Sequence, residues 1–224
     1  MSSDADIGRL IAPEGKTSVA GFLGAGCLMA LLGVLVSPWW WLPAAPAIVL
    51  GLFFLWFFRD PARVPPGGPE SVVSPADGRV LRVETDVEDA RFFEGVGTRV
   101  CIFMSPVDVH VNRNPVDGEV EAVRYHAGKY FAAYSDKASL DNEQNAVVLR
   151  TTTGRRLGYV QIAGFLARRI VCHLSAGDSC VRGERMGMIK LGSRVDIFVP
   201  GAFTLGVEAG DRVLAGETVL GQLE

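Results

Sequence analysis

The chain has 224 residues, 49% of them hydrophobic and 21% charged, a composition that excludes a disordered or collagen-like polymer and allows a buried core. Its 22 Lys and Arg against 25 Asp and Glu give a net charge of −3, which excludes a chain-wide basic surface for nucleic acid. Mean hydropathy is +0.25 despite 26 Gly and 12 Pro, so the apolar residues must be concentrated somewhere.

They are concentrated at the N-terminus. Val19 to Val36 is an uncharged run long enough to span a bilayer, and a second, Trp39 to Phe58, follows with only Ser37 and Pro38 between them. So short a connection makes the two runs antiparallel neighbours. Residues 19–58 are therefore expected to form a transmembrane helical hairpin, preceded by a cytoplasmic segment over 1–18, with Pro43 and Pro46 near the start of the second helix. Trp39, Trp40 and Trp41 at one end and Trp56 near the other suit the two interfaces. Arg9 and Lys16 before the pair, and Arg59 and Arg63 after it, place both flanks on the cytoplasmic side of the cell (inner) membrane. A cleaved signal peptide fits less well, because Asp4 and Asp6 precede the first run and a second apolar run follows it.

Residues 59–69 carry four prolines, Pro61, Pro65, Pro66 and Pro69, which forbid continued helix and mark a linker. From 70 to 224 short β-rich runs recur between turn signals: 79–83, 99–104, 119–125, 146–151, 157–163, 168–174, 195–199 and 219–223. No long segment has helical periodicity, so the fold expected is mainly β, a two-sheet sandwich or barrel-like domain with a short helix near 138–142. Ser74–Val80 and Val207–Gly221 each place a glycine turn between short strands. The second is similar to the hairpin of lipoyl- and biotinyl-type barrel sandwiches, a likeness of fold alone.

Several chemistries can be weighed from residue types. Cys27, Cys101, Cys172 and Cys180 have no C-x-x-C spacing, and His110, His126 and His173 share no helical metal-binding spacing, so neither a disulfide framework nor a metal site is indicated. Asp136-Lys137-Ala138 resembles the lysine turn of lipoyl carriers over three residues, but the polar run that follows is not a hairpin strand. Ser193, in Leu191-Gly192-Ser193-Arg194, lacks the second glycine of a hydrolase G-x-S-x-G elbow.

Four segments, in order, resemble the phosphatidylserine decarboxylase family in its short bacterial form. They are Phe57-Phe-Arg-Asp-Pro, Ser74-Pro-Ala-Asp77-Gly, Ser105-Pro-Val-Asp-Val-His110-Val-Asn-Arg113-Asn-Pro, and Met188-Ile-Lys-Leu-Gly192-Ser193-Arg-Val-Asp. Gly164-Phe-Leu-Ala-Arg-Arg-Ile is similar to a fifth. The resemblance implies a proenzyme in which the Ser193 hydroxyl attacks the Gly192 carbonyl, shifting the acyl group from nitrogen to oxygen. Elimination and hydrolysis then leave a pyruvoyl cofactor, with no metal, where Ser193 stood. It implies a large chain of 1–192 and a small chain of 193–224 that stay together by strand pairing, and a homodimer. The pyruvoyl ketone would form a Schiff base with phosphatidylserine in the bilayer and yield phosphatidylethanolamine. Asp77 would assist self-cleavage, and His110 would act as the proton donor or as the catalytic histidine on the substrate side. Gly192 is expected to let the peptide approach without a side-chain clash.

Two positions depart from the family pattern. Arg113 stands where long bacterial members have a second histidine, and an arginine cannot act as a base, so proton removal from Ser193 falls to Asp77 alone or with His110. Arg113 would instead bind the substrate's phosphate or carboxylate. Arg194 replaces a threonine common after the cleavage serine, and His126 is a substitute base to weigh. The alternative from another class is a non-catalytic, membrane-tethered β domain that binds lipid or carries a group on Lys137. A membrane serine hydrolase using Ser193 is a third reading.

Overall fold

The computed structural model describes residues 10–131, 133, 141–165, 169–190 and 192–224. The chain divides into two compact units, 1–62 and 63–224.

In the first unit, α1 (Pro13–Leu35) is followed by a 3₁₀ turn (Pro38–Trp40) and α2 (Trp41–Phe57), and both helical stretches are long and apolar enough to cross a membrane. α1 starts earlier than the apolar run because Pro13 and Glu14 supply a helix-start signal. The open end of the pair is tied: Ala12 N–H donates to the Phe58 carbonyl at 2.8 Å, and Ile11 bridges Arg59. Small residues let the helices approach. A Cβ on Gly26 would fall 2.6 Å from Ile48, and one on Gly51 would fall 2.5 Å from Leu23.

The second unit is mainly β. Among the described residues, β1 (Ser71–Val73), β2 (Gly78–Glu88), β3 (Val96–Met104), β4 (Val111–Arg113), β5 (Gly118–His126), β6 (Gln144–Thr151) and β7 (Arg156–Ile162) come first. β8 (Ile170–Cys172), β9 (Ser179–Cys180), β10 (Arg185–Ile189), β11 (Ser193–Pro200), β12 (Phe203–Leu205), β13 (Arg212–Val213) and β14 (Val219–Leu223) complete it. An eight-stranded sheet, in the order β13-β2-β3-β11-β7-β6-β5-β9, curls into a half-barrel, and two three-stranded sheets, β4-β10-β8 and β1-β14-β12, accompany it. Among the described residues every pairing between these strands is antiparallel.

One expectation changes here. The glycine-turn stretches at 74–80 and 207–221 do not form separate hairpins but pair with each other, Gly78 opposite Val213 and Arg79 opposite Arg212. Ser74 N–H also donates to the Thr218 carbonyl, and Gly216 N–H to the Ser74 carbonyl. The short helix expected near 138–142 lies largely outside the described residues, and within them Asn142 makes a bridge with Lys129.

Strand alternation sorts the faces. Val100, Ile102 and Met104 of β3, Leu157 and Tyr159 of β7, Val147 and Leu149 of β6, and Val195, Ile197 and Val199 of β11 enter the main core. Phe198, Val160, Ile162, Ala146 and Val148 face the other way, over Phe92 and Phe93. By the same period of two, Ser193, Gln161 and Asn145 lie on the main-core side, at the strand ends where apolar residues give way to polar ones.

Candidate active site at the start of strand β11

Ser193 is the first residue of β11, after the short crossing from β10 to which Gly192 belongs. Gly192 has φ +62°, a left-handed conformation that costs an L side chain about 1–2 kcal/mol. A Cβ there would meet nothing within 4 Å, so its backbone conformation, rather than the expected clash, is what calls for glycine. The close approach belongs to Gly164, where a Cβ would lie 2.0 Å from the Gly192 carbonyl oxygen. Within that Gly164–Ile170 stretch, residues 166–168 lie outside the described ones, as does Leu191.

His110 is fully buried, with Nε2 3.4 Å from Gly192 N and Nδ1 2.9 Å from the Asp108 carbonyl oxygen. A carbonyl can only accept and a backbone N–H can only donate, so the ring proton sits on Nδ1 and the Nε2 lone pair faces Gly192. Asp108 orders the turn that carries the histidine: Oδ2 accepts the Ser105 N–H and hydroxyl, each at 2.8 Å, and Oδ1 accepts Arg212 Nη2 at 2.8 Å.

The Ser193 hydroxyl, buried at 0% exposure, donates to Met104 Sδ at 3.4 Å, from its cross-strand neighbour. Among the described residues it makes no hydrogen bond to Asp77, His110 or Arg113. Asp77 is buried and held elsewhere: Oδ1 accepts the Ala215 N–H at 2.7 Å and Oδ2 pairs with Arg63 at 3.0 Å. Arg63, read from sequence as a membrane-flanking cation, belongs to the β unit and also reaches Glu217 at 2.6 Å. Arg113 is buried too, donating from Nη1 to the Gly183 carbonyl at 2.8 Å, with its stem beside Gly216. The structure thus gathers His110, Gly192 and Ser193 at the joined ends of β3 and β11. It gathers Asp77 and Arg113 around the turn at 214–217.

Arg194 points to the opposite face from Ser193. Its guanidinium is fully buried, bonded through Nε and Nη2 to both oxygens of Asp196 at 2.7 and 2.9 Å, and through Nη1 to the Ala133 carbonyl at 3.2 Å. This explains how a long cation is accommodated directly after the serine. Burial and then the Asp196 carboxylate push the nearby Cys101 thiol up to about 11. His126 lies at the exposed end of β5. Lys137, the carrier-domain candidate, lies outside the described residues.

A set of residues that motif reading passes over also converges here. Asn112 Nδ2 donates to the same Met104 sulfur at 3.5 Å, Gln161 Nε2 donates to Asn112 Oδ1 at 3.0 Å, and Asn145 Nδ2 donates to Gln161 Oε1 at 3.1 Å. The available signal is the Gln144-Asn145 pair that opens the apolar strand β6 and the single amide, Gln161, near the end of β7. Sequence alone does not show that their ends meet.

A half-barrel β unit with a buried serine after a left-handed glycine, and a histidine facing that glycine, defines a protein built around one Gly–Ser junction. A family model for phosphatidylserine decarboxylase matches residues 50–221. The phosphatidylserine decarboxylase proenzyme of Citrifermentans bemidjiense is 44% identical over 213 residues, covering 95% of this chain and 96% of that one. That of Oleidesulfovibrio alaskensis is 46% identical over 211 residues, covering 94% and 93%, and that of Nitrosomonas europaea 42% over 213 residues, covering 95% of each. The chain belongs to the phosphatidylserine decarboxylase family.

Proposed function

We propose that this chain is a membrane-anchored proenzyme that cuts itself between Gly192 and Ser193 and then decarboxylates phosphatidylserine to phosphatidylethanolamine. The observation that carries the reading is the junction itself. A left-handed Gly192, its carbonyl oxygen packed against Gly164 and its N–H facing His110 Nε2, precedes a buried serine hydroxyl whose one hydrogen bond among the described residues is to a weakly accepting sulfur. These residues fit a group made from Ser193 in place. Turning the hydroxyl off Met104 Sδ frees it to attack the adjacent carbonyl carbon, and Gly164 leaves room for that carbonyl to become tetrahedral.

His110 is placed to hold a proton at Nε2, with the Asp108 carbonyl fixing its tautomer. Asp77 acts from the neighbouring turn, where Arg63 and Ala215 N–H hold its carboxylate in place. Arg113, beside the same turn, supplies positive charge for the substrate's phosphate or carboxylate. A pyruvoyl group made from Ser193 would be held at the start of β11 and would supply a ketone as electron sink for decarboxylation of the substrate amine. Residues 1–192 and 193–224 remain joined because β11 lies between β3 and β7, while β13 and β14 pair with β2 and β1. The two apolar helices keep the domain at the bilayer that holds a diacyl substrate, with the β domain on the cytoplasmic side of the inner membrane.

Ser193→Ala should give a single, inactive chain; cleavage persisting at this bond would overturn the proposal. His110→Ala, tested on protein that has already matured, should lower decarboxylation on the order of a hundredfold or more, as expected for loss of a general acid–base group. Unchanged turnover would remove the histidine from the reaction.

A further inference from the structure

Three amide side chains, Asn145, Gln161 and Asn112, are buried where the apolar core gives way to polar residues, at 4%, 0% and 0% exposure. Burying amides is unfavourable unless they are paired, and these are paired in one direction, Gln161 Oε1 accepting from Asn145 and Asn112 Oδ1 from Gln161. The chain of bonds ends on a donor. Among the described residues the sole acceptor for Asn112 Nδ2 is Met104 Sδ at 3.5 Å, a weak partner for an N–H that three residues have been buried to orient. The Ser193 hydroxyl lies on that same sulfur at 3.4 Å. A strong donor and the oxygen that must react are thus parked side by side on one poor acceptor.

We infer that Asn112, oriented by Gln161 and Asn145, is a positioning and charge-stabilising donor for the self-cleavage step in which Ser193 loses its oxygen. The inference rests on the self-processing reading above. Once the hydroxyl oxygen has bonded to the Gly192 carbonyl carbon, its proton has passed to the Ser193 nitrogen and the Gly192–Ser193 C–N bond has broken, the two chains are joined by an ester through that oxygen, with a free amine on Ser193. Elimination then moves the Cα proton of residue 193 to His110 Nε2 and breaks the Cβ–O bond. The electron pair of that bond stays on the oxygen, giving dehydroalanine at 193 and a carboxylate on Gly192. The charge therefore develops on the former Ser193 hydroxyl oxygen. The Asn112 N–H moves from the sulfur to that oxygen as the charge appears, and little reorganisation is needed because the rest of the amide chain already holds it.

The test is a time course of the full chain translated in vitro into vesicles, followed by intact mass with and without hydroxylamine. Asn112→Asp keeps the acceptor for Gln161 but removes the donor. It should slow cleavage on the order of a hundredfold, the usual cost of losing one donor to a developing charge. It should also accumulate an ester that hydroxylamine splits into a Gly192 hydroxamate and a small chain beginning with intact serine. A merely structural asparagine would not produce that trapped species. Cleavage at the wild-type rate, or slow cleavage with no trapped ester, overturns the inference. Thermal unfolding in a Ser193→Ala background checks the fold. If Asn112→Asp is unfolded there, Asn145→Ala, two bonds back along the chain of amides, must show the same trapped ester, and its absence overturns the inference equally. A wild-type chain that never cleaves would instead refute the proposed function.

Discussion

Gly164 shows how a single missing carbon atom can control a bond elsewhere in the sequence. Its hydrogen leaves room for the Gly192 carbonyl oxygen, which would otherwise meet a Cβ at 2.0 Å. Gly164→Ala should therefore slow self-cleavage about tenfold or more by displacing that carbonyl, an increase in barrier of about 1.4 kcal/mol per factor of ten. The amount of intact chain after a fixed chase checks this. Asp196 gives a contrasting prediction about stability. With the carboxylate 2% exposed and the Arg194 side chain fully buried, Asp196→Ala strands a cation in the interior and should cost about 3–5 kcal/mol, read by denaturant unfolding of the Ser193→Ala chain. Residue types marked Ser193, Gly192, His110 and Asp77 in the sequence because they sit in ordered motifs. Asn112 stood inside one of those motifs without drawing notice, since its partners Met104 and Gln161, and the Asn145 that holds Gln161, come from three other strands.

At the scale of strands, alternation and turn residues were legible. Each of the eight β-rich runs read from sequence overlaps an observed strand, from 79–83 inside β2 to 219–223 as β14. The short strands β1, β4, β9, β10, β12 and β13, of two to five residues each, were not recognised, because runs that brief carry too little periodicity to stand out from loop. Nor could sequence say that β13 joins β2, since pairing partners are chosen by tertiary packing. That pairing has a consequence for the processed protein. With β11 interior to the eight-stranded sheet, the 193–224 chain should co-elute with 1–192 in non-denaturing chromatography and separate only in denaturant. Burial pushes the Cys101 and Cys180 thiols up to about 11 each, so both should resist alkylation at pH 8 until the sheet is unfolded. Because these raised values favour the neutral thiol in the folded state, their contribution to stability is complete below about pH 9 and is lost as pH rises towards 11.

For the molecule as a whole, the division into 1–62 and 63–224 separates the two apolar helices from the β unit that carries the Gly192–Ser193 junction. The apolar pair was evident from length and composition, and its two helices, long and apolar enough to cross a membrane, approach each other at small residues. The β unit contains every residue assigned to cleavage, including Arg63 at its first position. A chain beginning at Arg63 should accordingly still cleave itself, while its turnover of phosphatidylserine in vesicles falls relative to turnover of the same lipid in detergent micelles. Equal loss on both substrates would assign the helices a part in folding the site rather than in reaching the bilayer.

The central claim concerns one covalent bond, and intact mass under denaturing conditions addresses it directly. The purified wild-type protein should resolve into two chains, 1–192 with an ordinary carboxyl terminus, and 193–224 lighter than its serine-ended form by about the mass of one ammonia. A single uncleaved chain from a preparation that decarboxylates phosphatidylserine would contradict the proposed chemistry.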